Sequence, residues 1–363
     1  MTAGVPEGSI LGPVHWNLAY DGVLEMENLP GGVETLAYAD DLAVVVTARE
    51  ERSLERAANE GLARVVEWME DNHLQLAPAK TEALYLTGRK RTEGIHVVMA
   101  GHPIEIRKEA KYLGVILDKG LNGSAHVKYA AGKAQRVAVN LARILPRVGG
   151  ASELNRRLLA SVAESTALYA APIWADMALR TAQNRGALRS AQRTVAIRVC
   201  RAYRTVPTEA LLVLAKMLPW DLLAGERSRR FLEDDLELAM ARRATIDLWQ
   251  EEWDQVIPGR VTKGVWTKSL IPDLRKWLNC SHGELSYCTT QVLTGHGQFR
   301  SYMVKINKAS SETCVLCDSG EPDDIEHTIL RCEALREARE PGFLVPSGAQ
   351  VEAGVPTGTR RAL

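Results

Sequence analysis

The chain has 363 residues, 46% of them hydrophobic, and its 45 basic side chains balance 45 acidic ones. This length is typical of two or three domains rather than one. No apolar run approaches the roughly 20 residues of a membrane-spanning helix, and no secretory signal precedes the first motif. We therefore expect an intracellular protein that is not secreted and does not enter a membrane.

The six cysteines do not form a disulfide pattern. Three of them cluster with a histidine near the end of the chain, whereas Cys200, Cys280 and Cys288 are scattered. This distribution fits a reducing compartment and a metal site better than a secreted, disulfide-linked framework.

The first motif is a loop rich in glycine and proline at residues 4–13, followed by a segment with helical periodicity from Val14 to Met26. Glycines allow the backbone to approach a ligand closely, and the start of a helix favours anions. An ordinary connecting loop is the alternative, because a glycine-rich loop alone is a weak signal.

Two adjacent carboxylates, Asp40 and Asp41, follow in a segment that reads as a tight hairpin. Apolar residues at 32–38 and 42–47 predict the two strands, with the acids at the tip. Two neighbouring anions repel each other and usually need a cation, and Mg²⁺ prefers carboxylate oxygens together with substrate phosphates. A simple turn containing two acids is the alternative.

A helix is predicted after this hairpin, with Thr47 and Glu50 at the spacing of a capping box. Its apolar residues recur every three or four positions, at Leu54, Ala58, Leu62, Val65 and Met69. We expect this stripe to pack on the hairpin sheet and Trp68 to lie in the core.

Short strands are then predicted at residues 83–86, 95–99, 104–106 and 112–117. Lys80 stands just before the first of these strands. It is a candidate phosphate ligand if it faces the acidic pair, and otherwise a solvated lysine. Up to about residue 120 the chain therefore alternates sheet with one or two helices.

From Ser124 onward the periodicity is helical and the charge is basic. Between Lys128 and Arg204 there are fourteen Lys and Arg residues against three acids, a local excess of +11. Arg185, Arg189 and Arg193 are four residues apart, so they share one face of a helix predicted at residues 183–201. Such a block favours a polyanionic partner.

The next part is a long predicted helical stretch between Leu222 and Trp249, dense in charges of both signs, to which we assign no chemistry. Trp253, Trp266 and Trp277 follow it. These indoles are candidates for base stacking, but aromatic residues at such spacing are more often core residues.

A zinc-ligand pattern stands near the end of the chain: Cys314, Cys317, His327 and Cys332, in the spacing Cys-x2-Cys-x9-His-x4-Cys. Three thiolates and one imidazole make a closed tetrahedral set, which is typical of structural zinc. We expect a helix that starts near Glu326 to bring His327 and Cys332 onto one side. The last twenty or so residues, rich in proline and glycine, are predicted to be disordered.

Several of these motifs together resemble the reverse transcriptase palm. They are the loop Gly4-x-Pro6-x-Gly8-Ser9-x-x-Gly12-Pro13, then Tyr38-Ala39-Asp40-Asp41, Lys80-Thr81-Glu82 and Tyr112-Leu113-Gly114. The downstream part resembles Pol proteins of non-LTR retrotransposons in residues 201–206, residues 293–297 and the Cys-Cys-His-Cys finger. Within that family it most resembles insect type-1 retrotransposable elements, which insert into ribosomal RNA genes.

This resemblance implies a role for each matching residue. Asp40 and Asp41 would bind catalytic Mg²⁺ in a two-metal site, and Tyr38 would lie beside the primer end. Gly8 and Ser9 would line the incoming nucleotide and the template, and Lys80 would assist departure of pyrophosphate. Tyr112, Leu113 and Gly114 would form the primer grip. Arg185, Arg189 and Arg193 would hold template or primer, and the zinc finger would bind RNA or target DNA.

Two departures from the family pattern are visible. Glu7 stands where the family usually has glutamine, which places an extra negative charge near a triphosphate. The third metal-binding aspartate of the family lies on a strand before the glycine loop, and no such strand precedes it here. We therefore expect a C-terminal fragment that does not polymerise by itself. The resemblance also implies an endonuclease in the parent polyprotein, and no such site is found in these residues.

The resulting prediction is an α+β protein: a partial palm with an antiparallel sheet and packed helices, an all-α thumb, and a C-terminal helical region with a small zinc finger. The expected segments are residues 1–120 (palm), 121–215 (basic thumb), 216–300 (connector), 301–340 (finger) and 341–363 (tail). The expected partners are an RNA template, a DNA primer or target DNA, and deoxynucleoside triphosphates, in the nucleus by resemblance; protein partners are not indicated.

Two alternatives stay open. One is a truncated copy that acts only as a nucleic-acid-binding module, and the other is a group II intron or telomerase-like polymerase.

Overall fold

A computed structural model of the chain describes residues 8–26, 29–87, 94–144, 151–256, 264–280 and 284–339. Glu7 and the predicted tail lie outside the described residues. By its internal contacts the chain divides into two compact units. The first unit comprises Met1–Ala131 and Ala170–Ala187, and the second comprises Gly132–Tyr169 and Leu188–Leu363. The five-segment division expected from the sequence stays a prediction.

The first unit contains every strand of the described chain. The eight strands are Val33–Tyr38 (β1), Asp41–Val46 (β2), Ala83–Leu84 (β3), Val97–Met99 (β4), His102–Ile104 (β5), Ile106–Arg107 (β6), Glu109–Tyr112 (β7) and Val115–Asp118 (β8). They form four two-stranded sheets, β1–β2, β3–β6, β4–β5 and β7–β8, of which only β3–β6 is parallel. The architecture is therefore a mixture of helices and small sheets.

The helices of the first unit begin with Gly12–Tyr20 (α1) and Glu51–Asp71 (α2). The single helix predicted from Val14 to Met26 is wrong in its extent, because a 3-10 turn, Asp21–Val23, follows α1 directly. Tyr20 and Val23 from this segment join Val65 and Met69 of α2 in one buried cluster. This cluster lies beneath β1 and β2, since Ala37, Leu42 and Val44 pack against it.

Helix α2 packs on the β1–β2 hairpin, as its apolar stripe predicts. The helix approaches the hairpin closely at Gly61, where an added Cβ would lie 2.9 Å from Cγ1 of Val33, so a larger residue does not fit without movement. The predicted capping box is wrong. The residue before the helix, Glu50, makes no side-chain cap, and the hydroxyl of Thr47 donates to the carbonyl oxygen of Gly32 instead.

The strand predicted at residues 112–117 is interrupted by a two-residue turn. Tyr112 pairs with Val115 across it, and Leu113 and Gly114 between them have φ angles of 44° and 83°. Two successive residues with positive φ define the tight hairpin turn that matches strand twist, and glycine meets that requirement at the second position. The apolar run concealed this turn because leucine rarely adopts positive φ.

Two helices continue from the first unit into the second, Ser124–Ile144 (α3) and Ala182–Val199 (α6), and Ala171–Ala178 (α5) belongs to the first. The other helices of the second unit are Glu153–Ala167 (α4), Thr208–Leu214 (α7), Trp220–Leu232 (α8), Leu238–Asp254 (α9), Val265–Leu270 (α10), Leu274–Asn279 (α11), Tyr287–Thr294 (α12), Arg300–Lys305 (α13) and Arg336–Arg339 (α14). No helix of the described chain is long and apolar enough to cross a membrane.

The long helical stretch predicted between Leu222 and Trp249 is two helices, α8 and α9, packed on each other. The break falls at Glu233, Asp234 and Asp235. Three acids at the C-terminal end of a helix oppose its macrodipole, so the helix ends there.

The tryptophans of this region have structural contacts. Trp253 is 2% exposed, and its Nε1 donates to the carbonyl oxygen of Ile271. Trp266 and Trp277 donate in the same way to the carbonyl oxygens of Val292 and Val213. The core interpretation therefore describes them better than base stacking.

Candidate active site and metal centre

The acidic pair lies where the sequence places it. Strands β1 and β2 pair from Val33 with Val46 to Tyr38 with Asp41, which leaves Ala39 and Asp40 as the turn. Both carboxylates are exposed, and neither makes an ion pair or a hydrogen bond with any other described residue. Two adjacent, unpaired anions repel each other, so the tip has the charge and the open coordination that a divalent cation requires.

The tip is held by a contact that the sequence did not indicate. Ala39 has a φ of 54°, in the left-handed region that costs an L-residue about 1–2 kcal/mol. Its carbonyl oxygen accepts a hydrogen bond of 2.8 Å from Nε1 of Trp16 on α1. The indole of Trp16 stacks on the ring of Tyr20, with centroids 4.9 Å apart. The only available signal was the spacing of four residues, which places both rings on one side of α1.

Tyr20 is the titratable neighbour of the acidic pair. It is 7% exposed, and its ring also meets Trp68 edge-on at 6.0 Å. Burial raises the pKa of its hydroxyl above the ordinary value, and the negative charges of Asp40 and Asp41 raise the pKa further. Tyr20 therefore stays neutral at physiological pH and adds no third anion to this corner.

Apart from the arginines of α6, the other residues proposed for nucleotide, template or primer lie in the same unit as the acids. Tyr38 is 65% exposed beside the tip. Gly8, with a φ of 81°, and Ser9 form the turn before α1, where the Ser9 carbonyl oxygen accepts from the Gly12 amide. Exposed Lys80 ends the 3-10 turn Pro78–Lys80, just before strand β3. The last three residues of this group, Tyr112, Leu113 and Gly114, form the turn of the β7–β8 hairpin.

The three arginines of α6 are engaged within the protein. Arg185 donates to the carbonyl oxygen of Leu179. Arg193 donates to the hydroxyl of Thr208 and to the carbonyl oxygen of Arg204. These hydrogen bonds occupy guanidinium N–H groups that the family resemblance had assigned to template or primer.

Arg189 is engaged most completely. Its Nε and Nη2 atoms donate to both carboxylate oxygens of Asp221 at 2.8–3.0 Å, and Nη2 also donates to Glu252 at 2.7 Å. Burial acts to lower the pKa of Arg189, but the two carboxylates outweigh burial and hold the pKa above its ordinary value. The side chain of Asp221 is only 1% exposed, so this guanidinium compensates a buried charge.

The four predicted metal ligands meet in the second unit. The ligand atoms of Cys314, Cys317, His327 and Cys332 all lie within 4.8 Å of one another. The sulfurs of Cys314 and Cys332 are 4.0 Å apart, and Nε2 of His327 lies 3.3 Å from the sulfur of Cys317. Tetrahedral zinc with ordinary bond lengths requires separations of about 3.6–3.8 Å. The cluster can therefore hold a metal ion.

The acidic residues that surround His327 were not predicted from the sequence. Nδ1 of His327 lies 2.8 Å from Oε2 of Glu321, which leaves Nε2 to point at the thiols. This hydrogen bond is the main reason that the pKa of His327 is raised to about 9 in the metal-free chain. Asp324 accepts from the His327 amide at 2.7 Å, and Asp323 accepts from the amide of Arg300. The acids between Cys317 and His327 therefore orient a ligand and tie the cluster to α13.

His327 and Cys332 lie on the same side of the cluster, as predicted, but the backbone conformation between them differs from the predicted one. The segment His327–Arg331 forms a single π-helical turn rather than the start of an α-helix. Its wider turn lets the Cys332 amide bond to the His327 carbonyl oxygen at 2.6 Å. Hydrogen bonds from Ser319 lower the pKa of the Cys317 thiol, which favours the thiolate form that binds metal.

Comparison with known proteins shows what the first part of the chain resembles. Residues 1–117, the part that contains the acidic hairpin, match the family described as reverse transcriptase (RNA-dependent DNA polymerase). This part of the chain is therefore similar to the domain of an RNA-directed DNA polymerase.

Relatives of the chain include proteins of R1-type retrotransposable elements of insects. The chain is 29% identical, over 96% of its length, to the Retrovirus-related Pol polyprotein from type-1 retrotransposable element R1 2 of Nasonia vitripennis, and it covers 90% of that protein. It is also 29% identical to the putative 115 kDa protein in type-1 retrotransposable element R1DM of Drosophila melanogaster, over 94% of the chain and 34% of the relative. No solved structure matches the chain.

Proposed function

We propose that this chain supplies the catalytic hairpin and the nucleic-acid-holding C-terminal part of an RNA-directed DNA polymerase that copies an RNA template during target-primed integration. The observation that carries the proposal is the hairpin tip, where Asp40 and Asp41 are adjacent, exposed and unpaired within the described part of the chain. This tip lies inside the segment that matches the reverse transcriptase family.

The donor set at the tip fits Mg²⁺, because both ligands are carboxylates and both are open to solvent. Asp40 and Asp41 would hold the ions, which when bound activate the attacking oxygen and stabilise the leaving group. Tyr38 would lie at the primer end, and Gly8 and Ser9 would contact nucleotide and template. Lys80 would assist the departing pyrophosphate, and the turn at Tyr112, Leu113 and Gly114 would hold the primer.

The substrates follow from this reaction: an RNA template, a DNA primer or target DNA, and deoxynucleoside triphosphates. In this proposal residues 1–120 act as part of the palm and residues 121–215 as the thumb, and a third metal-binding aspartate comes from a preceding segment. An endonuclease in the parent polyprotein and a nuclear location are part of the same proposal, and both rest on the family resemblance.

The Cys-Cys-His-Cys cluster would bind zinc in a structural role. Its four ligand atoms are buried or half-buried and close a tetrahedral set, and Glu321 occupies the second nitrogen of the histidine. Carboxylate–histidine pairs of this kind orient imidazole ligands in zinc sites. The finger would then present its surface to RNA or target DNA.

The proposed function is tested with Asp40→Ala in the complete polymerase. Loss of a metal-binding carboxylate should abolish primer extension on an RNA template while RNA affinity is retained. Glu34→Ala is the matched control, because Glu34 is an exposed acid of the same hairpin at the end away from the tip. Extension by Asp40→Ala at the rate of the control would refute the proposal.

A second candidate function is a binding module without synthesis. The basic helices and the metal cluster favour it, since both suit nucleic acid and neither requires the acidic tip. It predicts that the complete protein binds RNA in a salt-dependent manner but that no extension depends on Asp40. The two functions therefore differ in the result of the same experiment.

A further inference from the structure

The β7–β8 hairpin, whose turn is the proposed primer contact, is a sheet of only two strands. A two-stranded hairpin alone is at best marginally stable in water, so contacts outside the sheet have to fix the position of its turn. The start of α3 provides such contacts, and all the residues concerned belong to the first unit. Only five residues, Lys119 to Gly123, join β8 to α3.

This joining segment folds around one carboxylate. Asp118, the last residue of β8, is 8% exposed. Its Oδ1 accepts hydrogen bonds from the amide of Gly120 at 3.1 Å, the amide of Asn122 at 3.1 Å and Nδ2 of Asn122 at 2.9 Å. Its Oδ2 accepts from the amide of Gly123 at 3.0 Å, directly before α3. Both oxygens of Asp118 therefore bind donors of the segment that leads into the helix.

A carboxylate is matched to this turn by its chemistry. Leu121 has a φ of 48°, a conformation that costs an L-residue free energy and persists only where the surroundings compensate for it. All the donors are N–H groups, and an ionised carboxylate accepts at both oxygens, whereas a carboxamide would present its own N–H groups to one of them. Across the ladder Asp118 lies opposite Glu109, and like charges in that arrangement are unfavourable. Strand pairing therefore does not favour an acid at position 118, but the turn does.

Two further contacts join the hairpin to the same helix. Nδ1 of His126, a residue that is 1% exposed, accepts a hydrogen bond of 3.2 Å from the Ile116 amide on β8. On β7, Nζ of Lys111 donates to the hydroxyl oxygen of Tyr129 at 3.4 Å and lies 5.4 Å from the centre of its ring. Each strand of the hairpin is therefore bonded to the first two turns of α3.

We propose that Asp118 is a positioning residue for the primer, because it fixes the β7–β8 hairpin on α3 and so fixes the turn at Tyr112, Leu113 and Gly114. Asp118 ends the strand that begins directly after this turn, so a displacement at the junction of β8 and α3 is passed along the strand to the turn. Asp118 itself touches no substrate and acts through the hairpin. This inference deepens the proposed function by adding a residue that places the primer, and it rests on that function.

The test measures extension by the complete polymerase against the concentration of a primer–template duplex. The variant is Asp118→Asn, which keeps the size of the side chain but replaces one acceptor with an N–H₂ group. The control is Glu109→Gln, which makes the same acid-to-amide change at an exposed position directly opposite in the hairpin.

We expect the KM for duplex to rise on the order of 10-fold in Asp118→Asn, because a turn that is less well fixed binds the primer less tightly. The kcat and the KM for deoxynucleoside triphosphates should stay within about twofold of the unaltered protein. The control should match the unaltered protein in all three quantities.

A role in stability alone gives a different result. It would lower the folded fraction and hence the rate at saturating duplex, while the folded molecules kept the KM of the control. Equal KM values for variant and control would therefore overturn the proposal, and so would a fall in rate without a change in KM.

A second variant decides the matter if Asp118→Asn does not fold. Asn122→Ala removes an exposed side chain that donates to Asp118 and whose Oδ1 accepts from the Ser124 amide at 3.0 Å. Because this side chain is exposed, its loss leaves no cavity. The KM for duplex should rise about threefold, as expected for the loss of one or two hydrogen bonds. An unchanged KM in this variant would then overturn the proposal.

Hydrogen exchange in the full chain separates this proposal from that of the polymerase. The amides of Gly120 and Gly123 should exchange about 10-fold faster in Asp118→Asn than in Glu109→Gln, and this result requires no activity. If exchange and the KM for duplex match the control while extension depends on Asp40, only the role of Asp118 is refuted. If exchange rises as expected while extension never depends on Asp40, the polymerase proposal is refuted and the anchoring of the hairpin stands.

Discussion

At the scale of single residues, the corner that carries the acids is defined by a strained alanine and its partner. Ala39 has a positive φ, which a residue with a Cβ adopts only when its surroundings compensate. The hydrogen bond from Trp16 and the stacking of Trp16 on Tyr20 are that compensation. The position of Asp40 therefore depends on an aromatic side chain 24 residues earlier in the sequence.

Trp16→Phe tests this dependence because phenylalanine keeps an aromatic ring but has no N–H. We expect the chain to lose about 0.5–1.5 kcal/mol of unfolding free energy, measured by urea denaturation. In the complete polymerase the Mg²⁺ concentration for half-maximal extension should rise, since the tip is less well fixed.

Trp68→Phe is the matched control for that variant. It shortens another indole that touches Tyr20, but Trp68 makes no side-chain hydrogen bond with a described residue through its nitrogen. Its Mg²⁺ dependence should stay that of the unaltered protein. Identical Mg²⁺ curves for both variants would show that the Trp16 hydrogen bond does not position the acids.

At the scale of elements, the metal cluster shows how a short segment without a large core can be ordered. Two ligands lie on the loop around Cys314 and Cys317, and two lie on and after the π-helical turn at His327. Backbone bonds link the two parts, including that from the Cys314 amide to the Glu321 carbonyl oxygen at 2.9 Å. We expect a bound metal to add to the stability of this element.

Metal analysis of the full chain should therefore give one equivalent of zinc, and Cys317→Ser should remove it. Chelation should also make Cys317 react with an alkylating reagent, because its thiol is only half-buried once metal is absent. Cys200 should stay unreactive under both conditions, since it is fully buried and burial raises the pKa of its thiol.

Cys288→Ser serves as the control, because Cys288 is exposed and lies outside the cluster. Its zinc content should equal that of the unaltered chain. A folded chain that contains no zinc, or a Cys317→Ser variant that retains a full equivalent, would contradict the assignment.

At the scale of the whole molecule, charge has two separate uses. In the second unit, Arg189 of α6 links Asp221 of α8 to Glu252 of α9, and Arg242 pairs with Glu226, whose side chain is 2% exposed. Pairs of this kind connect the helices of this unit to one another. Exposed cations elsewhere in this unit, among them Lys133, Arg136 and Arg243, have no side-chain partner among the described residues.

Asp221→Ala should therefore destabilise the protein strongly, by roughly 3–5 kcal/mol, because it leaves Arg189 partly buried with a single partner. Asp176→Ala is the control. The side chains of Arg180 and Asp176 are 64% and 68% exposed, so their ion pair should contribute less than about 0.5 kcal/mol to the free energy of unfolding. Thermal unfolding of both variants measures the difference. Equal melting temperatures would show that the Arg189 pair does not hold these helices together.

The sequence predicted the parts of the fold and site that depend on neighbouring residues. Apolar segments on both sides of Asp40 and Asp41 were sufficient for the hairpin, and the periodicity of residues 54–69 was sufficient for α2 and its packing on that hairpin. The ligands of the metal cluster were identified by their spacing. In each case the relevant physical interaction is local, so the pattern determines it.

Tertiary structure alone decided the rest, because those features depend on which distant groups meet. The sequence could not show that Trp16 would donate a hydrogen bond to Ala39, that Glu321 would orient His327, or that Asp221 would form an ion pair with Arg189. It presented fourteen basic residues as one block. Only the fold separates the basic residues that neutralise buried carboxylates from the exposed basic residues of α3. A charged side chain can bind a ligand only if no group within the protein already pairs with it.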